Sequence, residues 1–379
     1  MNKPRKGRFL TWRRMQNYAL NLWEKQRGQT VLRSRPLLIY SESTTRCNAR
    51  CIMCPRSNGP LPIHDMNMET FRRVAGDVFP TALVTFMQGT GEPLISKNFD
   101  EMLSVAKSYG MKVSCHTNGT VMTPDRARKL VASGINVINF SVDAVQEDIF
   151  QSIRPGASLR KVLRSIEMLD HARKELHRSN PAIGFAFVAM RRNAEELPKV
   201  VELAHQVGAR WVMAKGIIPL SQNTFEESLL HEPDRARAVA REAKAMADKY
   251  HVSLSLGSEL TDPEAYSISR QGAGDGRGLC QEPWETVFIT ADGSVEPCCI
   301  LYSGEPMGNI HEQSFDEIWN NEKYQRLRAM LYAGKMPEAC KDCPTLWVRR
   351  HTARYSRVLL SRIRRGPLAF VNDLKPLWS

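Results

Sequence analysis

The chain has 379 residues, 42% of them hydrophobic, enough for one barrel-sized domain and a smaller one, and no run of about 18 consecutive apolar residues to cross a membrane as a helix. Its net charge of +13 sits at the ends: residues 1–35 carry ten Lys/Arg against Glu24 alone, residues 346–379 carry eight against Asp373 alone, and 35 basic residues face 38 acidic ones between. A nucleic-acid-binding body would carry the charge on its own face, so no nucleic-acid partner is expected, and Met1–Leu10 lacks the apolar stretch of a secretory signal, so a cytoplasmic protein is expected.

In chain order, residues 1–35 read as a basic amphipathic arm. On a helix Trp12, Met15, Ala19, Leu22 and Trp23 share one face, while Arg13, Arg14, Gln16 and Lys25 lie elsewhere. Residues 36–270 then alternate short β-type runs with helical stretches. Strands are expected at Leu37–Glu42, Leu83–Met87, Lys112–Cys115, Val137–Val142, Ile183–Val188 and Trp211–Ala214. Helices are expected at Glu69–Val78, Phe99–Tyr109, Pro124–Ser133, Leu159–Leu176, Ala194–Val207 and Asp234–Lys249. This alternation predicts an α/β fold, a partial (β/α)6 barrel of TIM type with functional groups at the C-terminal strand ends; a doubly wound open sheet has the same pattern. The Gly-rich Gln271–Gly278 marks a boundary, and residues 271–345 form a small Cys-rich domain. Residues 346–379 are a second basic amphipathic segment, with Trp347, His351, Tyr355, Val358 and Leu359 in a stripe.

Eight of the nine cysteines fall in two groups; Cys115 stands apart and reads as a small core residue. Such groups in a cytosolic chain bind metal more often than they form disulfides. Thr44–Pro55, TTRCNARCIMCP, places Cys47, Cys51 and Cys54 in a CxxxCxxC directly after the first strand. Three thiolates on one short loop can hold three irons of a [4Fe–4S] cube and leave the fourth open to an external chelator. A structural zinc ion would want a fourth ligand, and His64 is the imidazole nearby. In the second group, Cys280 and Cys298 flank a hairpin, Thr286–Glu296, with an Asp292–Gly293 turn, and Cys340 and Cys343 form a CxxC. Two such pairs can ligate one centre, an iron–sulfur cluster or a zinc ribbon. Cys299 sits beside Cys298, whose spacing fits better.

The first group and the strand-end motifs downstream of it resemble the radical S-adenosylmethionine (SAM) superfamily. Gln88–Pro93, QGTGEP, resembles that family's GGEP motif, with Thr90 standing between the glycines. Thr117–Asn118–Gly119 resembles its TNG turn, and Ser141–Ala144, SVDA, its SxDG stretch. Arg154 and Asn193 fall at recurrent family positions, though Asn193 can equally cap the following helix. The resemblance implies that Cys47, Cys51 and Cys54 ligate a catalytic [4Fe–4S] cluster whose open iron SAM chelates. It further implies that Met53, which could equally fill core, lies near the adenine, that Gly89, Thr90, Gly91 and Glu92 meet the methionine ammonium, and that Asn118, Ser141 and Asp143 border the rest of SAM. The Cys-rich region, with FITADGSVEPCC, MGNI, SFDEIWNNEKYQRLR and CKDC, resembles the SPASM/twitch domain. No cysteine follows Cys343, so it resembles the shortened version, with one auxiliary [4Fe–4S] cluster on Cys280, Cys298, Cys340 and Cys343. The likeness covers about residues 36–345.

The resemblance implies an enzyme. An electron from the catalytic cluster cleaves SAM to methionine and a 5′-deoxyadenosyl radical, the radical takes a hydrogen atom from a substrate carbon, and the auxiliary cluster assists the oxidation. No acid–base residue can be named from the sequence, and a flavodoxin or ferredoxin is the implied reductant. The basic ends favour a carbohydrate, lipid-linked or nucleotide-linked metabolite, with an anionic membrane surface as a partner; the alternative packs both ends on the barrel. Maturation of a ribosomally made peptide comes second, because only 36 residues precede the first strand where many such enzymes carry a leader-binding domain of about 80. A non-enzymatic zinc scaffold would explain the cysteines but not GTGEP, TNG and SVDA.

Overall fold

In the computed structural model, which describes residues 9–59, 61–217, 222–263, 280–298, 305–335 and 337–340, six parallel strands lie where the alternation placed them. They are β1 (Leu38–Ser41), β2 (Val84–Phe86), β3 (Lys112–Thr117), β4 (Val137–Ser141), β5 (Ala182–Ala189) and β6 (Trp211–Gly216), each paired with the next. Helix α1 (Trp12–Gln26) precedes them. Helices α2 (Met68–Val78), α3 (Phe99–Ser108), α4 (Pro124–Ser133), α5 (Glu147–Ile153), α6 (Leu159–Glu175) and α7 (Glu196–Gln206) run between strands, and α8 (Gln222–Glu226) and α9 (Pro233–Tyr250) follow β6. Local chemistry sets many of the ends. The Thr123 hydroxyl caps α4 with Pro124 in its first turn, and Gly134 closes it in the left-handed region at φ 75°. The Val137–Phe140 run of β4 is buried throughout, as a strand inside a parallel sheet must be.

The sheet is wider than six strands. It runs in the order β10–β9–β8–β1–β2–β3–β4–β5–β6–β7, where β7 is Ser253–Leu256, β8 Thr286–Ile289, β9 Ser294–Glu296 and β10 Gly308–Asn309. β7 escapes a sequence reading because SLSL, half serine, makes no apolar run. β8 and β9 form the expected hairpin, with Gly293 at φ 86° in its turn. The other edge of β8 pairs in parallel with β1, Leu38 opposite Thr286, so the Cys-rich region continues the barrel sheet.

Helix α1 packs on the barrel, but not by its apolar stripe. Its buried residues are Arg14, Asn17, Asn21 and Glu24, spaced to share one edge of the helix. The Arg14 guanidinium donates to the carbonyls of Phe9 (2.7 Å), Phe79 (2.9 Å) and Tyr109 (2.8 Å). Asn17 and Arg35 exchange backbone–side-chain bonds, and Glu24 accepts from the amides of Arg33 and Ser34. Lys25 pairs with Glu285 at 2.7 Å. Phe9 and Tyr18 pack against Leu37, Leu38, Leu83 and Val84 at the N-terminal ends of β1 and β2. The helix therefore closes the end of the barrel opposite the strand ends that carry the motifs, and Trp12 and Trp23 stay 70% and 50% exposed. Residues 346–379 lie outside the described residues, as do Cys299 and Cys343.

Arg14→Met should lower stability by about 2–4 kcal/mol, since it strands buried carbonyls without a donor. The measurement is denaturant unfolding with limited proteolysis of residues 9–35; wild-type values on both would show that α1 docks without it.

Candidate functional site

The loop from Cys47 to Cys54 leaves the C-terminal end of β1 and is held from two sides. On one side the Glu92 amide donates to the Arg46 carbonyl at 2.8 Å, and a Cβ on Gly91 would overlap the Thr44 carbonyl oxygen, so GTGEP touches the loop backbone to backbone. On the other, the amides of Arg50 and Ile52 donate to the carbonyls of Pro155 and Ile153. Gly156, at φ 90°, brings its α-carbon against Asn48. Asn118 donates to Asn48 Oδ1 at 2.8 Å and approaches Cys47 Sγ at 3.9 Å, while Arg154 donates to Cys51 Sγ at 3.4 Å. These are donors suited to thiolates. Burial pushes the Cys51 and Cys54 thiols up, with Arg154 pulling the other way, and a cationic cluster would reverse that balance. The three sulfurs, soft donors on one loop beside an arginine and an amide, fit the open [4Fe–4S] cluster. His64 is exposed, and among the described residues it joins no group of His, Cys, Asp or Glu that could hold a metal ion.

Two buried carboxylates expected at SAM are spent on the protein itself. Glu92 is 2% exposed; it accepts from Thr117 Oγ1 (2.7 Å), the Asn118 amide (2.6 Å) and the Leu94 amide (3.1 Å). Burial still pushes its carboxyl above the usual range, against those three donors. Its side chain ties GTGEP to the TNG turn. Asp143, fully buried, accepts from Arg154 Nε at 2.5 Å and from the Val188 amide at 2.7 Å. Burial works against the Arg154 charge, but Asp143 and Cys51 outweigh it and hold the guanidinium more firmly protonated than usual. Asn193 does not cap α7, whose cap is Glu195; it donates to the carbonyls of Asp143 and Val188 and accepts from the Met190 amide. Asp143, Arg154 and Asn193 form one positioning network behind Cys51.

Gly89, Thr90 and Gly91 are partly open at the end of β2, and Ser141 sits half-buried at the end of β4. Met53 packs with Ile153, Met190 and Ile217, a small apolar cluster rather than a lone contact surface. Beside the loop lies a cavity of about 830 Å³ with Cys47 in its wall, lined by Ile52, Arg56 and Ile63 on one side and Arg192, Ile217 and Glu227 on the other. Arg192 is pinned by Glu227. Glu42, which no motif singles out, is 2% exposed and accepts from the Thr90 amide (2.6 Å) and hydroxyl (2.8 Å) through one oxygen and from the Ala291 amide (3.0 Å) through the other. An acid at the end of a buried strand is its only trace in the sequence.

In the second group, Cys280 and Cys340 pack against the main core and Cys298 follows β9. None of the described cysteines forms a disulfide. Tyr324 is fully buried under Trp319 and Arg328, and its hydroxyl has no hydrogen-bond partner among the described residues; the Glu296 carboxylate also has one buried oxygen unpaired among them. Tyr324 lies close enough to Glu296 and Cys298 that charge on either hinders its ionisation, after the larger effect of burial. An orphaned donor beside a cysteine fits a sulfur-rich cluster with room for hydrogen bonds to its sulfurs. Cys115 is fully buried with its thiol pushed up by burial, the core residue expected.

Arg154→Met should destabilise the protein by about 3–5 kcal/mol, because it leaves the Asp143 carboxylate buried and unpaired. Adding Asp143→Asn should recover part of that loss in thermal unfolding. An unchanged unfolding temperature in the single variant would mean the pair carries no weight.

Comparison with known proteins agrees with this geometry. The radical SAM superfamily model matches residues 41–204, and SPASM, an iron–sulfur cluster-binding domain, matches residues 280–344. The AdoMet-dependent heme synthase of Methanosarcina barkeri is 26% identical over 324 residues, covering 79% of this chain and 86% of that one. The PqqA peptide cyclase of Ruegeria pomeroyi is 23% identical over 323 residues, covering 81% and 79%. Streptococcus suis SuiB bound to S-adenosylmethionine has the same fold, with TM-score 0.62, 14% identity and coverage of 88% and 74%. The zinc-scaffold reading gives way to these matches. With its cysteine loop, its glycine loop at the end of β2 and its Cys-rich extension, the chain belongs to the radical SAM superfamily, as an enzyme of SAM and [4Fe–4S] clusters with a C-terminal SPASM domain.

Proposed function

We propose that this enzyme takes a hydrogen atom from a peptide and that the auxiliary cluster, on Cys280, Cys298, Cys340 and Cys343, assists the subsequent oxidation. The cavity beside Cys47 carries the reading. At about 830 Å³ it offers apolar walls in Ile52, Leu61 and Ile63 next to Arg50, Arg56 and the Arg192–Glu227 pair, a lining suited to a segment of mixed side chains. The cyclase of Ruegeria pomeroyi, similar along most of its length, is named for a peptide. This reading replaces the carbohydrate, lipid-linked or nucleotide-linked metabolite inferred from the basic ends, because the basic end that is described closes the opposite end of the barrel from the cavity.

In this reading Cys47, Cys51 and Cys54 hold the catalytic cluster, and Gly89–Gly91 let SAM approach their backbone. When bound and reduced, by a ferredoxin or flavodoxin, the cluster supplies the electron that splits SAM. The rest is positioning: Glu92 and Glu42 fix the glycine loop, Asn118 and Arg154 steady the thiolates, and the walls exclude water from the radical.

Anaerobically reconstituted and reduced protein should convert SAM to 5′-deoxyadenosine and methionine, and the triple change of Cys47, Cys51 and Cys54 to Ala should abolish this. Iron should fall from about eight to about four per chain in that variant. Undiminished cleavage in the variant ends the catalytic assignment, and an iron content near zero in it ends the auxiliary one. The peptide substrate is tested by deuterium: a deuterated precursor peptide encoded beside the gene should pass label into 5′-deoxyadenosine. Label arriving only from a deuterated sugar or lipid would overturn the peptide reading.

A further inference from the structure

Eight large apolar side chains stand exposed among the described residues, and six of them lie on or next to α1. Trp12, Met15 and Trp23 lie on α1, Leu10 and Val31 in its flanking segments, and Tyr332 beside its C-terminal end, with its hydroxyl 3.5 Å from the Gln26 carbonyl. The other two, Ile63 and Phe225, stand in and beside the wall of the cavity. Monomers rarely gather exposed apolar groups this way without using them. The helix has its polar edge against the barrel and its aromatic edge outward, the reverse of an ordinary surface helix.

The exposed charge of the helix and its flanks, residues 9–35, is of one sign, with Asp77 and Asp316 near Arg35 at its margin. Arg13, Arg27 and Arg33 are exposed there, with the Arg27 guanidinium 5.2 Å over the Trp23 ring. Glu24, the one acid of residues 1–35, is buried and consumed by two backbone amides. The sequence before Phe9, outside the described residues, carries Lys3, Arg5, Lys6 and Arg8 and no acid. A second copy would set arginines against arginines, and the basic segment 346–379 would do the same. The complementary occupant is negatively charged, broad and apolar beneath its surface.

We infer that the outward face of α1 docks on an anionic phospholipid bilayer and holds the cavity-bearing end of the barrel away from it. The tryptophans enter the interfacial region and the arginines meet the headgroups, an association that is reversible for one short helix and weakens with salt. Because α1 closes the N-terminal strand ends and the cavity opens at the others, the bilayer anchors the enzyme without supplying its substrate.

The test is co-sedimentation of the full chain with vesicles of mixed phosphatidylcholine and phosphatidylglycerol, and with phosphatidylcholine alone. Wild type should bind the anionic vesicles, release them as salt rises, and ignore the neutral ones. Trp12→Ser with Trp23→Ser should lower the partition at least about tenfold while SAM cleavage and the unfolding temperature stay unchanged. Arg13→Glu with Arg27→Glu should do the same by charge alone, so a folding defect in one variant leaves the other to decide. Failure of wild type to bind at low salt overturns the inference. So does undiminished binding by both variants, which would assign it to residues 346–379, or a dimer that the tryptophan changes dissolve, which would make a second copy the occupant.

Discussion

A loop that is to bring three cysteines, Cys47, Cys51 and Cys54, to one centre cannot be left to its own conformational freedom, which costs roughly 1–2 kcal/mol per residue to suppress. Most of the structure around the C-terminal strand ends exists to suppress it. The backbone of the loop is bonded to GTGEP on one side and to the Ile153–Gly156 turn on the other. Those two clamps are themselves held by buried carboxylates: Glu92 between the second and third strand ends, and Asp143, through Arg154, between the fourth and fifth. Each acid sits where a parallel strand ends, the place at which backbone amides lose their ladder partners and turn toward an acceptor.

Glu42 extends this arrangement across the two parts of the protein. One oxygen holds Thr90 of the glycine loop and the other holds Ala291 in the turn of the SPASM hairpin. Together with the parallel pairing of β8 to β1, it makes the SAM side and the auxiliary region neighbours in one sheet rather than two bodies on a linker. A shift of the hairpin would have to move Thr90 or abandon a buried carboxylate, so the positions of the two cluster regions are coupled.

At the other end of the barrel the same logic runs with opposite polarity. The C-terminal ends of α2 and α3 expose carbonyls, and Arg14 answers them from α1. With the polar edge of the helix committed inward, its tryptophans have only the outside left to face.

The order of strands and helices, the two cysteine groups and the motifs at strand ends are legible in the sequence, because each depends on local periodicity or fixed spacing along the chain. Asn193 admits two readings there, and its neighbours exclude the helix cap: its side chain bonds three backbone groups behind Asp143. The sequence could not reveal which partner a polar group would find. Asp143 and Glu92 show there only as acids of two motifs and Glu42 as nothing at all, while the fold gives each of the three a backbone amide to accept from. Nor could periodicity say which face of α1 turns inward. An amphipathic pattern states that two faces differ, whereas the carbonyl-rich end of a barrel decided here that the polar one is buried.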